Sequence, residues 1–363
     1  MKKLGFGFMR LPMIAKKNPD MEQIKSMVDE FMANGFNYFD TAYFYLDGKS
    51  EGYLKESLVD RYDRDKFVIA DKLPVMFLTK KSEMEEIFNN QLERCGVEYI
   101  DYYLLHALNK VGFAKTKLFK IFEFAAKKKE EGKIKKLGFS FHDKAKVLDK
   151  ILTEHPEVDF VQLQINYLDW EDGKVQSKLC YEVARKHGVD IIIMEPIKGG
   201  SLANVPTSVE QMFKKYDENS SVASWAVRFA ASLDGVKMVL SGMSTQEQMD
   251  DNLSYMNDFK PLNQEEIQMC FRAADIIKSK NIVPCTACKY CIEVCPKNIA
   301  IADYFALYNQ NINKGILDEK TYETLCETFG KASDCIECKK CEGICPQKIE
   351  IVKQLKNVKS KFE

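Results

Sequence analysis

The chain has 363 residues, of which 45% are hydrophobic and 29% are charged, and its formal net charge is −1. That length suits a large domain followed by a small one, and the near-zero charge gives no reason to expect nucleic acid as a partner. No apolar run reaches the ~18 residues of a membrane span, and the N-terminus lacks a signal-peptide pattern. We therefore expect a soluble, cytoplasmic protein with no membrane partner.

Eight apolar runs alternate with amphipathic helical stretches between Leu4 and Met243, and each run is a candidate β-strand. In chain order they are LGFGFM, FNYFDTA, FVIADKL, YIDYYLLHA, IKKLGFS, VDFVQLQINY, DIIIMEP and VKMVLSGM. Strands that alternate with helices in this number predict a (β/α)8 TIM barrel over residues 1–262. An open doubly wound sheet is the alternative, but no G-x-G-x-x-G motif follows the first strand.

Residues 263–363 have a different pattern. A helical run from Asn263 to Lys280 leads to a first cysteine motif, and a second motif begins at Cys335. Between the motifs, IADYFALYNQNINKGILDEKTYETLCETFG predicts two more helices, and the segment from Lys348 onward predicts a closing helix or tail. We therefore predict a small, mainly helical, ferredoxin-like domain.

The two motifs are CTACKYCIEVCP and CIECKKCEGICP, which share the spacing C-x2-C-x2-C-x3-C-P. Three such cysteines can surround one 4Fe-4S cluster, and in two-cluster modules the fourth ligates the other cluster. The predicted ligands are Cys285, Cys288, Cys291 and Cys345 for one cluster, and Cys335, Cys338, Cys341 and Cys295 for the other. Zinc is the alternative, although it requires neither the third cysteine nor the C-P ending. The other cysteines are predicted to pack in apolar cores: Cys95, Cys180, Cys270 and Cys326.

Polar residues end most of the predicted strands. In a barrel of this kind the active site lies at the carboxyl ends of the strands, and polar side chains are costly to bury without partners. Their convergence on one rim predicts a functional site. In chain order these residues are Arg10, Asp40, Lys72, His106, Ser140, Gln162 to Asn166, Glu195 and Ser241.

Several of these strand ends carry a family pattern. FDTAYFY places Asp40 five residues before Tyr45, IADKL contains Lys72 near the end of its strand, and YYLLHAL contains His106. This resembles the aldo-keto reductase signature of Asp, Tyr, Lys and His, and GKSEGYLKESL, EEGKIKKLGFS and VLSGMSTQEQMDDNL match further segments of that family. The cysteine module resembles an iron–sulfur branch of the same family.

The resemblance implies hydride transfer between a nicotinamide nucleotide and a small carbonyl or alcohol substrate. Tyr45 would protonate the developing alkoxide, since a nearby cation can lower the pKa of a phenol. Lys72 would be that cation, and Asp40 would orient it and keep it charged. His106 would donate a hydrogen bond to the carbonyl oxygen. For Tyr45 or His106 taken alone, ordinary packing in a barrel would be the simpler interpretation.

The resemblance also implies nucleotide contacts. Ser140 and Gln162 stand where the family binds the carboxamide, with Gln164 as the alternative to Gln162. Ser244 and Asn252 correspond to contacts at the adenosine end.

The choice between NADP and NAD stays open. Many members of the family hold the 2′-phosphate with a lysine and an arginine, and these positions align with Gly242 and Gln248. Without these two cations the charge argument for NADP weakens.

Three interpretations explain how the barrel and the cysteine module function together. In the first, which we favour, the clusters connect the barrel electronically to a ferredoxin-like or other redox protein partner. In the second, the barrel carries out ordinary carbonyl reduction and the clusters are structural or sensory. In the third, the chain is an electron-transfer iron–sulfur protein whose barrel is a scaffold or binds another redox cofactor such as flavin. A flavin is also a possible link in the first interpretation, because nicotinamide gives up two electrons and each cluster accepts one.

Overall fold

The structure is a computed structural model that describes residues 2–15, 18–280 and 282–363. Its residues group into two compact units. The first, called the barrel unit, contains Met1–Ile165, Asp169–Pro196 and Ala230–Pro261. The second, called the cysteine unit, contains Asn166–Leu168, Ile197–Phe229 and Leu262–Glu363. The division of the chain into domains at residues 262 and 263 remains a prediction.

Eight parallel strands close into a barrel in the order β1-β10-β9-β8-β7-β6-β5-β4. Each predicted apolar run overlaps one of these strands, so the predicted (β/α)8 barrel is confirmed. The strands are β1 Leu4–Gly7, β4 Tyr38–Asp40, β5 Val68–Leu73, β6 Ile100–Leu108, β7 Ile134–Phe141, β8 Phe160–Gln164, β9 Asp190–Met194 and β10 Val236–Ser241. An antiparallel pair that we did not predict, β2 Met13–Ala15 and β3 Asn18–Pro19, lies between the first two barrel strands in sequence.

A cluster of buried side chains fills the interior of the barrel, and most strands contribute at least one of them. Its members are Tyr38, Ala70, Leu104, Phe160, Ile192, Met238 and Leu240. Because side chains two residues apart in a strand share a face, the next inward positions are Asp40, Lys72, His106 and Gln162. These polar residues therefore follow the apolar filling toward the carboxyl ends of the strands.

Helices connect the strands. In chain order they are α1 Met21–Ala33, α2 Ser50–Leu54, α3 Glu83–Cys95, α4 Lys110–Phe119, α5 Ile121–Glu130, α6 Ala145–Glu154, α7 Ser177–His187, α8 Thr207–Tyr216, α9 Val222–Ser232 and α10 Gln246–Met256. Helix α1 illustrates the local signals, because the Asp20 side chain accepts from Gln23 N at its start and Gly35, with φ of +76°, follows its end. A π-helical turn, Lys55–Val59, continues α2.

The C-terminal part of the cysteine unit is helical, as predicted. Its helices are α11 Gln264–Ser279, α12 Tyr290–Glu293, α13 Ile301–Lys314, α14 Glu319–Cys326, α15 Lys340–Ile344 and α16 Ile351–Phe362. Helix α11 begins with a capping box in which Asn263 and Glu266 each bind the other's backbone N–H. Buried residues of α13 and α16, such as Tyr304 and Leu355, form a core together with cysteines of both motifs. Within the described part of the chain, no helix is both long enough and apolar enough to cross a bilayer.

Candidate functional site

Asp40 and Lys72 form a buried ion pair inside the barrel. Lys72 Nζ donates to Asp40 Oδ1 at 2.6 Å and to the backbone oxygen of Thr41 at 2.6 Å. Burial raises the pKa of Asp40 above its ordinary value, and the Lys72 charge opposes that rise without cancelling it. The second carboxylate oxygen, Oδ2, is buried without a hydrogen-bond partner among the described residues. The pair thus holds an ammonium at the carboxyl ends of β4 and β5.

Tyr45 and His106 lie beside this ammonium. Lys72 Nζ is 4.8 Å from the centre of the Tyr45 ring, and the rings of Tyr45 and His106 have centroids 5.9 Å apart at an interplanar angle of 79°. The structure therefore brings Asp40, Tyr45, Lys72 and His106 together, although they come from three strands and one loop.

The pKa of Tyr45 differs from our expectation. Burial raises it well above the ordinary value for a phenol, and the negative charge of Asp40 raises it further. The predicted lowering by Lys72 is therefore not found. The physical reason is that Asp40 already binds this ammonium at 2.6 Å. Burial therefore determines the direction in which the pKa of Tyr45 shifts.

His106 is neutral at ordinary pH. Burial lowers the pKa of His106 well below its usual value, and electrostatic repulsion from Lys72 and His142 lowers it further. A neutral imidazole has one N–H donor and one acceptor nitrogen. His106 can therefore donate a single hydrogen bond without carrying charge.

The residues expected at the carboxamide lie side by side, because Ser140 of β7 pairs in register with Gln162 of β8. Ser140 Oγ accepts from Ala107 N at 2.7 Å, which leaves its hydroxyl hydrogen to donate elsewhere. Gln162 Oε1 is buried with no hydrogen-bond partner in the described part of the chain. Gln164, the alternative, already donates to Asp169 Oδ2 at 2.8 Å.

The residues expected at the adenosine end form a second group in the barrel unit. Ser244 N donates to Gln248 Oε1 at 2.8 Å, and Asn252 Nδ2 donates to the Gln248 backbone oxygen at 2.8 Å. Asn252 Oδ1 is buried and has no partner among the residues that the structure describes. Two buried amide oxygens, one in each group, are thus available as acceptors.

Arg10 is a cation of the predicted rim to which our sequence analysis assigned no role. Ser244 Oγ donates to the backbone oxygen of Arg10 at 2.9 Å, and a Cβ added at Gly242 would lie 3.7 Å from Arg10 Cβ. The Arg10 guanidinium also lies 3.9 Å from Glu195 Oε1. The sequence signal was a charged residue at the end of the first strand, but its proximity to Gly242 depends on closure of the barrel.

The two cysteine motifs adopt the same backbone conformation. Non-glycine residues with positive φ occupy two matching positions in each motif and a third matching position two residues after it, and such residues cost about 1–2 kcal/mol each. Strain of this kind persists where surrounding structure or a ligand requires it. The residues are Ala287, Lys289 and Asn298 in or just after the first motif, and Glu337, Lys339 and Lys348 in or just after the second.

One set of four cysteines surrounds a small cavity. Three of them, Cys335, Cys338 and Cys341, come from the second motif, while the fourth, Cys295, ends the first motif. Burial raises the pKa of Cys341 to about 11, and the charges of Cys295 and Cys335 contribute to the rise. The fourth cysteine of one motif therefore lies among the first three of the other.

The reciprocal arrangement holds for the other set. Burial raises the pKa of the Cys291 thiol, and the charges of Cys285, Cys288 and Cys345 add to this rise, which places Cys345 near the first motif. Ala287 N donates to Cys285 Sγ at 3.4 Å. Backbone N–H groups directed at cysteine sulfur are a recognised feature of iron–sulfur sites.

The four cysteines outside the motifs are in the surroundings that we predicted, with one difference. Cys95, Cys180 and Cys270 are buried, whereas Cys326 is only partly buried. Cys326 Sγ lies 3.3 Å from the hydroxyl oxygen of Tyr304, in the cysteine unit.

The family models match both parts of the chain. Residues 3–275 match the aldo/keto reductase family, and residues 284–350 match the 4Fe-4S dicluster domain. The second match supports iron–sulfur clusters rather than zinc.

Two curated relatives cover most of the barrel. The NADH-specific methylglyoxal reductase of Escherichia coli (strain K12) is 22% identical over an alignment of 266 residues, which covers 61% of this chain and 79% of that protein. The uncharacterized oxidoreductase YqkF of Bacillus subtilis (strain 168) is 21% identical over an alignment of 273 residues, which covers 67% of this chain and 85% of that protein.

Solved structures show the same fold. Aldo-keto reductase AKR11C1 from Bacillus halodurans, in its holo form, superposes with a TM-score of 0.60 at 22% identity, covering 75% of this chain and 91% of that one. An aldo/keto reductase from Klebsiella pneumoniae in complex with NADP and acetate superposes with a TM-score of 0.61 at 19% identity, covering 74% of this chain and 90% of that one. The chain therefore belongs to the aldo/keto reductase family of oxidoreductases, with a 4Fe-4S dicluster domain following its barrel.

Proposed function

We propose that the protein reduces a small carbonyl compound with a nicotinamide nucleotide and that Tyr45 is the proton donor. The observation that carries this proposal is the convergence of Asp40, Lys72, Tyr45 and His106 inside the barrel. Nicotinamide would supply the hydride that adds to the carbonyl carbon. The protein must then protonate the oxygen, which becomes an alkoxide.

The four side chains divide this task. The raised pKa of Tyr45 keeps its phenol protonated until an alkoxide, which is a stronger base, takes the proton. The ammonium of Lys72, 4.8 Å from the ring, stabilises the phenolate that remains. Neutral His106 donates a hydrogen bond to the carbonyl oxygen and thereby favours the accumulation of negative charge on it. Asp40 fixes Lys72 in position.

Two buried amide oxygens support the nucleotide assignment. Gln162 Oε1 would accept from the carboxamide NH2, with Ser140 donating its hydroxyl hydrogen to the carboxamide oxygen. Asn252 Oδ1 would accept from the adenosine end. We assign the carboxamide to Gln162 rather than Gln164, because Asp169 already binds the Gln164 amide. The relatives' names include both NADH and NADP, so both nucleotides need to be tested.

We propose that the cysteines hold two 4Fe-4S clusters with exchanged fourth ligands. Cys345 would complete the first cluster and Cys295 the second. The cavity bordered by Cys295 and by cysteines of the second motif supports this arrangement, as do the repeated positive φ angles. Such clusters accept and donate single electrons. Their lability to oxidants agrees with a reducing cytoplasm, where we place the protein.

We favour an electronic link between the clusters and an external redox protein. Cys338 is exposed in the second motif, and its neighbour Ile336 is 57% exposed, as electron exchange with a docked partner requires. The alternative is an electron-transfer protein whose barrel is a scaffold or binds a flavin. Cys338→Ser separates a redox link from structural clusters, because it should spare carbonyl reduction only if the clusters are structural or sensory.

The test of the proposed reaction is aldehyde-dependent oxidation of NADH or NADPH, followed anaerobically by absorbance. Methylglyoxal, the compound in the name of the E. coli relative, is the first substrate to try. Tyr45→Phe should lower kcat at least 100-fold, the range expected for loss of a general acid. Tyr43→Phe is the matched control, since Tyr43 belongs to the same loop and its ring packs against Arg94. Equal activity of Tyr45→Phe and wild type would refute the role of Tyr45.

A further inference from the structure

A short turn, Ile197–Ser201, lies against the first cysteine motif within the cysteine unit. Ser201 Oγ donates to the backbone oxygen of Cys285 at 3.1 Å. A Cβ added at Gly199 would lie only 2.0 Å from the backbone oxygen of Thr286, and the φ angle of Gly199 is +61°. Only glycine permits this approach. The turn therefore fits the backbone of the first motif directly.

Lys198 occupies the centre of this turn. Its side chain is 1% exposed, and its Nζ donates to Gln347 Oε1 at 3.1 Å. Gln347 follows Cys345 by two residues, while Thr286, which Gly199 contacts, follows Cys285. Lys198 thus lies where the two segments that supply the proposed first cluster meet.

The position of Lys198 is costly. Burial of an ammonium requires hydrogen-bond acceptors and compensating negative charge. Lys198 also has a φ of +47°, which is unfavourable for any residue with a side chain, and a buried lysine loses much of its rotamer freedom. Costs of this kind concentrate at functional sites.

The second motif is in a different environment. Thr286 is 2% exposed, whereas Ile336, at the matching position of the second motif, is 57% exposed. The two clusters would therefore have similar ligands in different surroundings. Hydrogen bonding, net charge and solvent exposure are the factors that set the potential of such a cluster.

We propose that Lys198 raises the reduction potential of the first cluster. A 4Fe-4S cluster with four thiolate ligands is an anion and gains one further negative charge when it accepts one electron. A nearby ammonium stabilises the reduced form more than the oxidised form. This inference rests on the proposed ligation of the first cluster, and Lys198 acts on the potential without being a ligand.

The experiment is an anaerobic redox titration of the whole protein with dithionite, followed by electron paramagnetic resonance. Lys198→Gln removes the charge and keeps a donor for Gln347. We expect the equilibrium constant for reduction of one cluster to fall about tenfold, which is about 59 mV for one electron. The other cluster should change less than twofold. Cys338→Ser, which removes a ligand proposed for the second cluster, identifies the midpoint of the second cluster.

Two control variants separate charge from packing. Lys198→Arg should keep the equilibrium constants for reduction of both clusters within twofold of the wild-type values. Lys289→Gln removes a lysine of the first motif whose side chain is 58% exposed, and solvent screening should keep its effect under twofold. If Lys198→Gln loses iron and its potential cannot be measured, the iron content and potential of Lys198→Arg decide whether the proposal stands. Wild-type iron content and potential in Lys198→Arg support the proposal, and loss of iron in both variants overturns it.

The outcomes distinguish this inference from the function on which it rests. If wild-type protein contains no iron or sulfide and shows no cluster signal, the proposed ligation fails. If both clusters are present and Lys198→Gln leaves both midpoints unchanged, or shifts both equally, the ligation stands and the role of Lys198 is wrong.

Discussion

The Asp40–Lys72 pair should make the two residues interdependent for the stability of the barrel. The Nζ–Oδ1 distance is 2.6 Å and the two side chains are 1% and 5% exposed, so their gross attraction is roughly 6 kcal/mol at an effective dielectric constant of about 20. Desolvation offsets much of this attraction. Removal of one partner is nevertheless expensive, about 3–5 kcal/mol, because it leaves a buried charge without compensation.

The perturbation is a double-mutant cycle of Lys72→Met, Asp40→Asn and the two combined. Each single variant should lose about 3–5 kcal/mol, and the double variant should cost less than their sum by about 2–3 kcal/mol. The assay is native-state hydrogen exchange of the β4 and β5 amides, which reports the opening free energy of the barrel itself.

The pH dependence of Lys72→Met adds a second criterion. Burial already raises the pKa of Asp40, and loss of the ammonium removes the opposing influence. A carboxyl group with a raised pKa in the folded state is destabilising at a pH above its unfolded value, about 3.9. The loss in Lys72→Met should therefore shrink as the pH falls. Single-variant costs that add within about 0.5 kcal/mol and do not change with pH would refute the reasoning.

Three other predictions concern neighbouring groups. Burial keeps the pKa of His106 well below its usual value, so kcat for aldehyde reduction should show no imidazole step as the pH falls from 8 to about 6, and a step removed by His106→Gln would contradict this. Arg10→Ala should weaken nucleotide binding about tenfold in fluorescence titrations and reduce its salt dependence, because Arg10 lies beside Gly242 where the phosphate clamp is expected; unchanged affinity would exclude this role. Burial and the neighbouring charge of Glu51 raise the pKa of Asp71, so Asp71→Asn should remove part of the loss of stability that hydrogen exchange measures as the pH rises above the unfolded value of about 3.9, whereas an undiminished loss would contradict it.

The barrel was predictable because each strand carries its own signal. An apolar run such as FVIADKL becomes a buried strand, and the parity of its residues places Lys72 on the same inward face as Ala70. The short pair β2 and β3 escaped prediction, because Met13–Ala15 is exposed at all three residues and has no apolar alternation. The four catalytic candidates follow the same logic, since the carboxyl ends of parallel strands meet at one rim.

Features that depend on tertiary contacts could not be predicted in the same way. The sequence left Gln162 and Gln164 as alternatives, and our proposal of Gln162 rests on the contact of Gln164 with Asp169. The direction of the shift in the Tyr45 pKa is set by burial, which outweighs the opposing charge of Arg10. The packing of Gly199 against Thr286 joins residues far apart in the chain. Such facts depend on long-range packing, for which the local sequence carries no signal.

The most direct test of a link between barrel and clusters is anaerobic absorbance near 400 nm, where iron–sulfur protein absorbs. NADPH and then NADH are added without a carbonyl substrate. One hydride carries two electrons, enough to reduce two clusters by one electron each, with a flavin or similar group converting between the two steps. We predict bleaching with one of the nucleotides. Clusters that dithionite reduces, but that neither nucleotide bleaches while an aldehyde oxidises one of them, would contradict the link and leave a reductase with structural clusters.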